Sequence, residues 1–223
     1  MRGWRGWLVG AVVLLPSLIL AAGGAVYLQN GLAVNAAFPV PLNMSTNTPM
    51  PRAAYVDAAN ILRRANSRDG NAELSLAEAR LYAGEKPRRI FSQVEDGLMG
   101  APTSAEGWTF YAEILAPSDP KKAARALDQA FTLAPYDFFL AERRVQLASH
   151  IWNYLGSDTK SETLRQTRRL WDESVLRDEI LSLLATSDGG KLLTRAYADD
   201  PDTLRTINRW VSARRRQLQS QKS

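Results

Sequence analysis

The sequence predicts an all-α protein in which an N-terminal transmembrane helix precedes a series of paired helices. Three observations support this fold class. One apolar run near the N-terminus carries no charge and is long enough to cross a bilayer. Beyond residue 52, apolar residues recur at helical spacing, as in Ala58, Ile61 and Leu62. No segment shows the sustained alternation and β-branched enrichment of a strand, so little or no sheet is expected.

The predicted membrane segment is residues 7–28, which contain no charged residue. A helix of this length spans roughly 33 Å, and the hydrocarbon core of a bilayer is about 30 Å thick. Arg2 and Arg5 precede the segment, whereas residues 29–51 contain no Lys or Arg. The positive-inside rule therefore predicts a single-pass protein with residues 1–6 in the cytoplasm. In a bacterium with two membranes, the chain would sit in the inner membrane with its C-terminal domain in the periplasm.

The same segment has a second interpretation as a cleaved signal peptide. Small residues around Ala21, Ala22 and Ala25 offer a cleavage site. The apolar run, however, is longer than the hydrophobic region of a signal peptide, which is usually about 7–15 residues. Its length therefore favours a retained anchor.

Composition divides the remainder of the chain. Residues 29–52 form a proline-rich linker, expected to be extended because proline fixes φ and removes a hydrogen-bond donor. Residues 53–155 are predicted to form helical repeats, residues 156–218 a C-terminal helical cap, and residues 219–223 a tail. The later helices are predicted at 104–115, 120–133, 137–155, 160–174, 176–186, 189–198 and 201–218. Asp119-Pro120 and Asp200-Pro201 begin two of them, with aspartate as cap and proline in the first turn.

Helix ends recur at a nearly constant interval. The small residues Ala65, Gly97 and Ala130 stand 32 and 33 positions apart, each close to a predicted turn. The pattern is clearest in residues 102–135, which carry large and small residues at fixed offsets: Trp108, Tyr111, Ala112, Leu115, Ala123, Ala124, Leu127, Ala130 and Pro135. This stretch resembles the tetratricopeptide repeat, in which helix pairs recur about every 34 residues. The resemblance covers about residues 53–150 and implies a solenoid of helical hairpins; a helical bundle is the alternative.

The tetratricopeptide resemblance also implies a ligand-binding face on the inner side of the repeats. Glu106, Thr109 and Glu113 occupy the matching positions of one unit. Phe139, Glu142 and Gln146 occupy those of the next. These six residues are the candidate binding site, and the ligand that the resemblance implies is a protein partner.

A second, looser resemblance covers residues 168–211, the run RRLWDESVLRDEILSLLATSDGGKLLTRAYADDPDTLRTINRWV. This run is similar to the C-terminal helical regions of membrane-anchored proteins of bacterial exopolysaccharide or O-antigen assembly. It implies that the partners belong to polysaccharide assembly or export.

Several kinds of chemistry are excluded by composition. The chain has no cysteine, so disulfides, thiolate zinc sites, iron–sulfur clusters and a cysteine nucleophile are excluded. His150 is the only histidine and lies among apolar residues of a predicted helix. No HExxH, GxSxG or phosphate-binding glycine loop is present. We therefore expect no catalytic residue, no metal site and no cofactor.

Carboxylates are the remaining route to catalysis. A glycosidase would place two of them across a cleft, and the candidates are Glu106 with Glu113, and Asp172 and Glu173 with Asp178 and Glu179. Their spacing among Arg and Lys is typical of solvated helix faces.

The charge distribution argues against nucleic acid as a partner. The formal net charge is +5, but its excess lies at the two ends, in Arg2 and Arg5 and in Arg214, Arg215, Arg216 and Lys222. A nucleic-acid-binding protein usually has a basic face on its folded surface. The basic C-terminus is interpreted as a solvated helix end, with contact to anionic lipid or an acidic polymer as the alternative.

The sequence as a whole predicts a membrane-anchored periplasmic scaffold that binds protein partners in a cell-envelope complex. The alternative, from a different functional class, is a periplasmic enzyme or accessory protein acting on a cell-wall or capsular polysaccharide.

Overall fold

The computed structural model describes residues 24, 25, 28, 32, 50–64, 69–172 and 186–220. The predicted membrane segment and linker therefore lie outside the described residues, apart from a few positions. The same holds for Ala65, for the predicted helix 176–186 and for residues 221–223. Within the described ranges, no helix is both long and apolar enough to cross a membrane.

The described residues form helices and no strand, as the sequence predicts. In chain order the α-helices are α1 Arg52–Leu62, α2 Gly70–Tyr82, α3 Pro87–Gly100, α4 Ala105–Leu115, α5 Pro120–Leu133, α6 Phe138–Ile151, α7 Ser157–Asp172, α8 Ser187–Ala196 and α9 Pro201–Ser220. A 3-10 helix, Trp152–Tyr154, lies between α6 and α7. Contacts divide these helices into two compact units, with the boundary between Gly100 and Ala101.

The first unit contains α1, α2 and α3, and its closest contact is between α2 and α3. Gly97 on α3 makes this contact possible: a Cβ atom there would lie 2.9 Å from Leu74 Cγ and 3.2 Å from the carbonyl oxygen of Gly70. The buried side chains of Ile90 and Val94 continue the same face of α3. The small residue that the sequence pattern marks at position 97 is therefore required by close helix packing.

The end of α2 is fixed by contacts with α1. The ring of Tyr55 stacks on that of Tyr82, with centroids 5.3 Å apart, and Arg52 Nε donates a hydrogen bond to the carbonyl oxygen of Ala83 at 2.6 Å. Gly84 then takes a positive φ of 98°, a conformation that side chains with a Cβ rarely adopt. The chain therefore leaves the helical conformation at Gly84, just after α2 ends at Tyr82.

The second unit contains α4 to α9. The pair α4 and α5 packs closely through buried small and large residues, among them Phe110, Ala112, Ala123 and Leu127. A further apolar core joins α6 to α9 and is built from Val145, Leu170, Trp171, Leu192, Leu193, Ile207 and Val211, with others. Helices α6 and α7, on either side of the predicted domain boundary at residue 155, thus pack in one unit.

Local capping chemistry sets the helix starts that the sequence predicts. Asp119 Oδ1 accepts a hydrogen bond from the backbone N–H of Lys122 at 2.9 Å, and Pro120 is the first residue of α5. Asp200 Oδ1 accepts one from Thr203 N–H at 3.0 Å, and this bond lowers the pKa of the Asp200 carboxyl. The predicted helix 137–155 is shorter in the structure, because the chain tightens into the 3-10 helix after Ile151.

Candidate partner-binding face

The contact between α4 and α6 is centred on a two-pronged ion pair. Arg143 on α6 donates from Nε to Glu113 Oε1 at 2.9 Å and from Nη2 to Glu113 Oε2 at 2.6 Å. Arg143 is only 5% exposed, whereas Glu113 is partly open to solvent. Such a fork-to-fork geometry fixes the two helices in register, because both side chains must keep one relative orientation.

Arg144, the next residue of α6, is fully buried. Its guanidinium donates to the carbonyl oxygens of Ala134 at 2.7 Å and Ala130 at 3.1 Å, and to Thr109 Oγ1 at 3.3 Å. Burial lowers the pKa of Arg144 to about 10. The cation therefore satisfies carbonyl groups at the C-terminal end of α5, where a positive charge is favourable.

Glu106 lies on α4 near this ion pair, and its environment is different. It is half-buried, and no hydrogen bond or ion pair within the described residues satisfies its carboxylate. Burial raises its pKa; Asp137 and Glu113 act in the same direction, and Arg143 opposes them. Glu106 is thus a partly desolvated carboxyl group beside two other acids and a single arginine.

Exposed aromatic side chains adjoin this acidic group. Asp137 caps α6, accepting hydrogen bonds from the backbone N–H groups of Phe139 at 3.0 Å and Leu140 at 3.3 Å. Phe139 itself is 64% exposed, and Tyr136 is more exposed still. An exposed apolar side chain therefore lies two residues along the chain from Asp137, the carboxylate that acts on Glu106.

Some of the six residues predicted from the sequence lie in the packing contact between α4 and α6, and the others are exposed to solvent. Glu106, Thr109 and Glu113 lie together on α4, where Thr109 is buried under Arg144 and Glu113 is paired. On α6, Glu142 is half-buried, and Phe139 and Gln146 are exposed. The surface on offer to a ligand thus consists of the following residues, which we call the α4–α6 face: Glu106, Glu113, Asp137, Phe139, Glu142 and Gln146.

No protein family model matches this chain, and no curated protein matches it.

The other candidates from the sequence take ordinary structural positions. His150 is exposed in the last turn of α6, with Nδ1 2.9 Å from the carbonyl oxygen of Gln146. Trp171 belongs to the core of α6 to α9, and the indole of Trp108 donates to the carbonyl of Pro102 at 2.8 Å. Glu173, Asp178 and Glu179 lie outside the described residues. Within the described ranges, no three metal-ligating side chains come together.

The residues that sequence reasoning missed are Arg143, Arg144 and Asp137. A signal for Arg144 was present, because it interrupts an apolar stripe at helical spacing formed by Leu140, Ala141, Leu147, Ala148 and Ile151. A charged residue inside such a stripe must be buried with partners. The sequence does not say which partners these are, since they come from α4 and from the end of α5.

Proposed function

We propose that this chain is a membrane-anchored scaffold of the cell envelope that binds a protein partner through the α4–α6 face. The bound segment presents a basic side chain to Glu106 and an apolar side chain to Phe139. Residues 7–28 hold the scaffold in the membrane, and the proline-rich linker sets its distance from the bilayer. The domain serves polysaccharide assembly or export without catalysing a reaction itself.

The observation that carries the proposal is the environment of Glu106, which is half-buried and has no hydrogen-bond donor among the described residues. A half-buried carboxylate without a hydrogen-bond donor is unfavourable in the free protein. An arginine or lysine from a partner would supply the missing donors and gain a charge-assisted bond. The neighbouring Asp137 and Glu113 add negative charge, and the arginines Arg143 and Arg144 offset two of the three negative charges. The remaining negative charge favours a cation.

Exposed aromatic area supports a polypeptide partner. Phe139 offers an apolar anchor beside the acidic group, and aromatic residues are enriched among the side chains that dominate binding energy at protein interfaces. A small inorganic cation would use the carboxylates but gain nothing from Phe139. A segment with one basic and one apolar side chain would use both.

Selection from a phage-displayed random peptide library tests this proposal even while the natural partner is unidentified. We expect peptides that bind the wild-type chain to share an Arg or Lys close to a large apolar residue. Glu106→Lys and Phe139→Ser should each lower the affinity of the chain for the selected peptides by about tenfold or more, since each removes one anchor of the site.

Tyr154→Ser is the matched control, because it also removes an exposed aromatic ring from the second unit, at a residue that does not belong to the α4–α6 face. It should leave peptide binding unchanged. The proposed face would be refuted if the selected peptides lacked a basic residue, or if their affinity were the same for wild type, Glu106→Lys and Phe139→Ser.

The anchored topology is tested separately. Alkaline phosphatase, which is active only when exported, can be fused after residue 52 of the full chain in a two-membrane bacterium. We expect activity, and we expect the fusion to resist extraction from the membrane by carbonate. An inactive fusion would contradict the proposed orientation, and a fusion released into the soluble fraction would contradict the anchor.

A further inference from the structure

A groove of about 290 Å³ lies in the second unit where α5, the 3-10 helix and the start of α7 meet. Six of its eight lining residues are polar or charged: Arg125, Asp128, Tyr154, Ser157, Asp158 and Thr159. Its volume is close to the lower end of the range of small-molecule sites, about 300–1,000 Å³. The groove is separate from the residues of the α4–α6 face.

The two carboxylates that line the groove, Asp128 and Asp158, each accept a hydrogen bond from a neighbouring hydroxyl group. Thr159 is buried and donates from Oγ1 to Asp128 Oδ1 at 2.6 Å, which ties α7 to α5. Asp158 Oδ1 accepts a bond from the hydroxyl of Ser157 at 3.1 Å. Each carboxylate can accept further hydrogen bonds at its second oxygen. The Asp128 acceptor on α5 is therefore held in place by Thr159, and Asp158 adds a second acceptor from α7.

A donor and an aromatic ring complete the lining. Arg125 is exposed and forms no ion pair within the described residues, so its guanidinium has donors to offer. Tyr154 is 48% exposed and lines the groove with an aromatic ring that carries a hydroxyl. Gly156 leaves the space open, because nothing lies within 4 Å of the position that a Cβ would take there.

The chemistry of this lining excludes several classes of ligand. Two carboxylates against one guanidinium disfavour an anion. No three ligating side chains come together in the described part of the chain, so the groove is not proposed as a metal site. About half of the lining surface is apolar although most lining residues are polar, so a ligand that combines hydroxyl groups with an apolar face matches it better than a wholly hydrophobic molecule. A small molecule with many hydroxyl groups and one apolar face matches this lining, and an organic cation is the competing class of ligand.

We propose that this groove binds a neutral pyranose unit of a saccharide. Vicinal hydroxyls of the sugar donate to Asp128 and Asp158 and accept from Arg125, and the C–H face of the ring lies on Tyr154. Hydroxyl groups can both donate and accept, so one ring satisfies acidic and basic side chains together. The inference does not depend on the proposed partner-binding face.

Saturation-transfer NMR with the purified full-length chain in detergent tests this site. The probes are the methyl glycosides of glucose, galactose, mannose and N-acetylglucosamine, with spermidine as a cationic comparison. We expect at least one glycoside to bind with a Kd on the order of 1 mM, the strength typical of so small a ligand. Spermidine should not compete for the site.

Three variants locate the binding. Tyr154→Ser should lower the affinity for the glycoside by about tenfold, because the aromatic ring is lost. Asp128→Asn should lower it by a similar factor, because a charged acceptor is lost. Gly156→Leu should abolish it, because the new side chain fills the groove. Gly156 lies outside the positive-φ region and its Cβ would meet no atom, so this variant should fold normally.

Phe139→Ser is the control and should leave sugar binding unchanged. Failure of all four glycosides to bind, or binding that survives Gly156→Leu, would overturn the inference. Displacement of a bound glycoside by spermidine would do the same and assign the groove to a cation. The outcome of the peptide selection is unaffected by any of these results, so the two proposals fail separately.

Discussion

Arg143 on α6 contacts Glu113 on α4 through two parallel hydrogen bonds of 2.9 and 2.6 Å, while Glu106, on the same helix as Glu113, has no such partner among the described residues. The two glutamates are seven residues apart and close to one arginine, yet their energetic roles are opposite. Glu113 accepts both hydrogen bonds of the Arg143 guanidinium. Glu106 is destabilised as a carboxylate, because burial removes water without supplying donors.

This contrast predicts opposite effects of removing each charge. At pH 7, Glu113→Gln should lower the free energy of unfolding by about 1–3 kcal/mol, because it leaves a nearly buried arginine without its charged acceptor. Glu106→Gln should instead raise the melting temperature at pH 7, since it relieves a desolvated charge. Thermal unfolding followed by circular dichroism measures both, and a stabilising Glu113→Gln would contradict the role given to the ion pair.

The effect of Glu106 should depend on pH in a defined direction. Its pKa is raised in the folded chain, so the folded state holds a proton that the unfolded state has already released. The stability due to that proton is present at low pH, and it is lost as the pH rises from the ordinary glutamate pKa through the raised one. We therefore expect the advantage of Glu106→Gln over wild type to be small at pH 4 and to grow toward pH 7. A constant difference across this range would contradict the raised pKa.

Arg144 should be the most sensitive polar residue of the second unit. Arg144→Ala should lower the free energy of unfolding by about 3 kcal/mol or more, because it leaves two buried carbonyl groups and Thr109 with fewer donors. Arg144→Lys should recover only part of the unfolding free energy that Arg144→Ala loses, since an ammonium group cannot span three acceptors as a planar guanidinium does. Urea denaturation of the two variants measures the difference. Full rescue by lysine would show that charge alone matters here.

Gly97 and Gly156 form a matched pair for testing helix packing. Gly97→Ala should destabilise the first unit by about 1–3 kcal/mol, because its Cβ would lie 2.9 Å from Leu74 Cγ, close to the backbone of Gly70. Gly156→Ala meets no neighbouring atom and should be close to neutral. Chemical denaturation compares the two. Equal effects would contradict the close approach of α2 and α3.

The two tryptophans that meet edge to face between α7 and α9 should differ sharply in their contribution to stability. Trp171 is 7% exposed and lies in the core of α6 to α9, whereas Trp210, at 6.1 Å between ring centroids, is about half exposed. Trp171→Ala should cost about 3–5 kcal/mol of unfolding free energy through cavity formation. Trp210→Ala should cost about 1 kcal/mol, the order of an aromatic pair contact. A larger loss from Trp210 would place α9 differently against α7.

Much of the local structure was determined by the sequence. Apolar residues at helical spacing predicted α5 at its observed bounds, 120–133, because burial requires one continuous stripe per helix. Asp119-Pro120 and Asp200-Pro201 predicted two helix starts, since capping depends on neighbours along the chain. The small residues Gly97 and Ala130 marked close packing, and both are buried. The tetratricopeptide resemblance remains a prediction.

Only the tertiary structure decided what the charged residues do. The tetratricopeptide resemblance placed Glu106, Thr109 and Glu113 on one face of a helix, but it gave no side-chain partner within the chain for any of them. Arg143 and Arg144 lie 30 and 35 residues further along the chain from Glu113 and Thr109. Their side chains meet these residues because α6 packs on α4, and the groove beside Tyr154 likewise exists only where α5 and α7 meet. Helix formation depends on contacts a few residues apart, whereas pairing and burial of charge depend on which helices become neighbours in the fold.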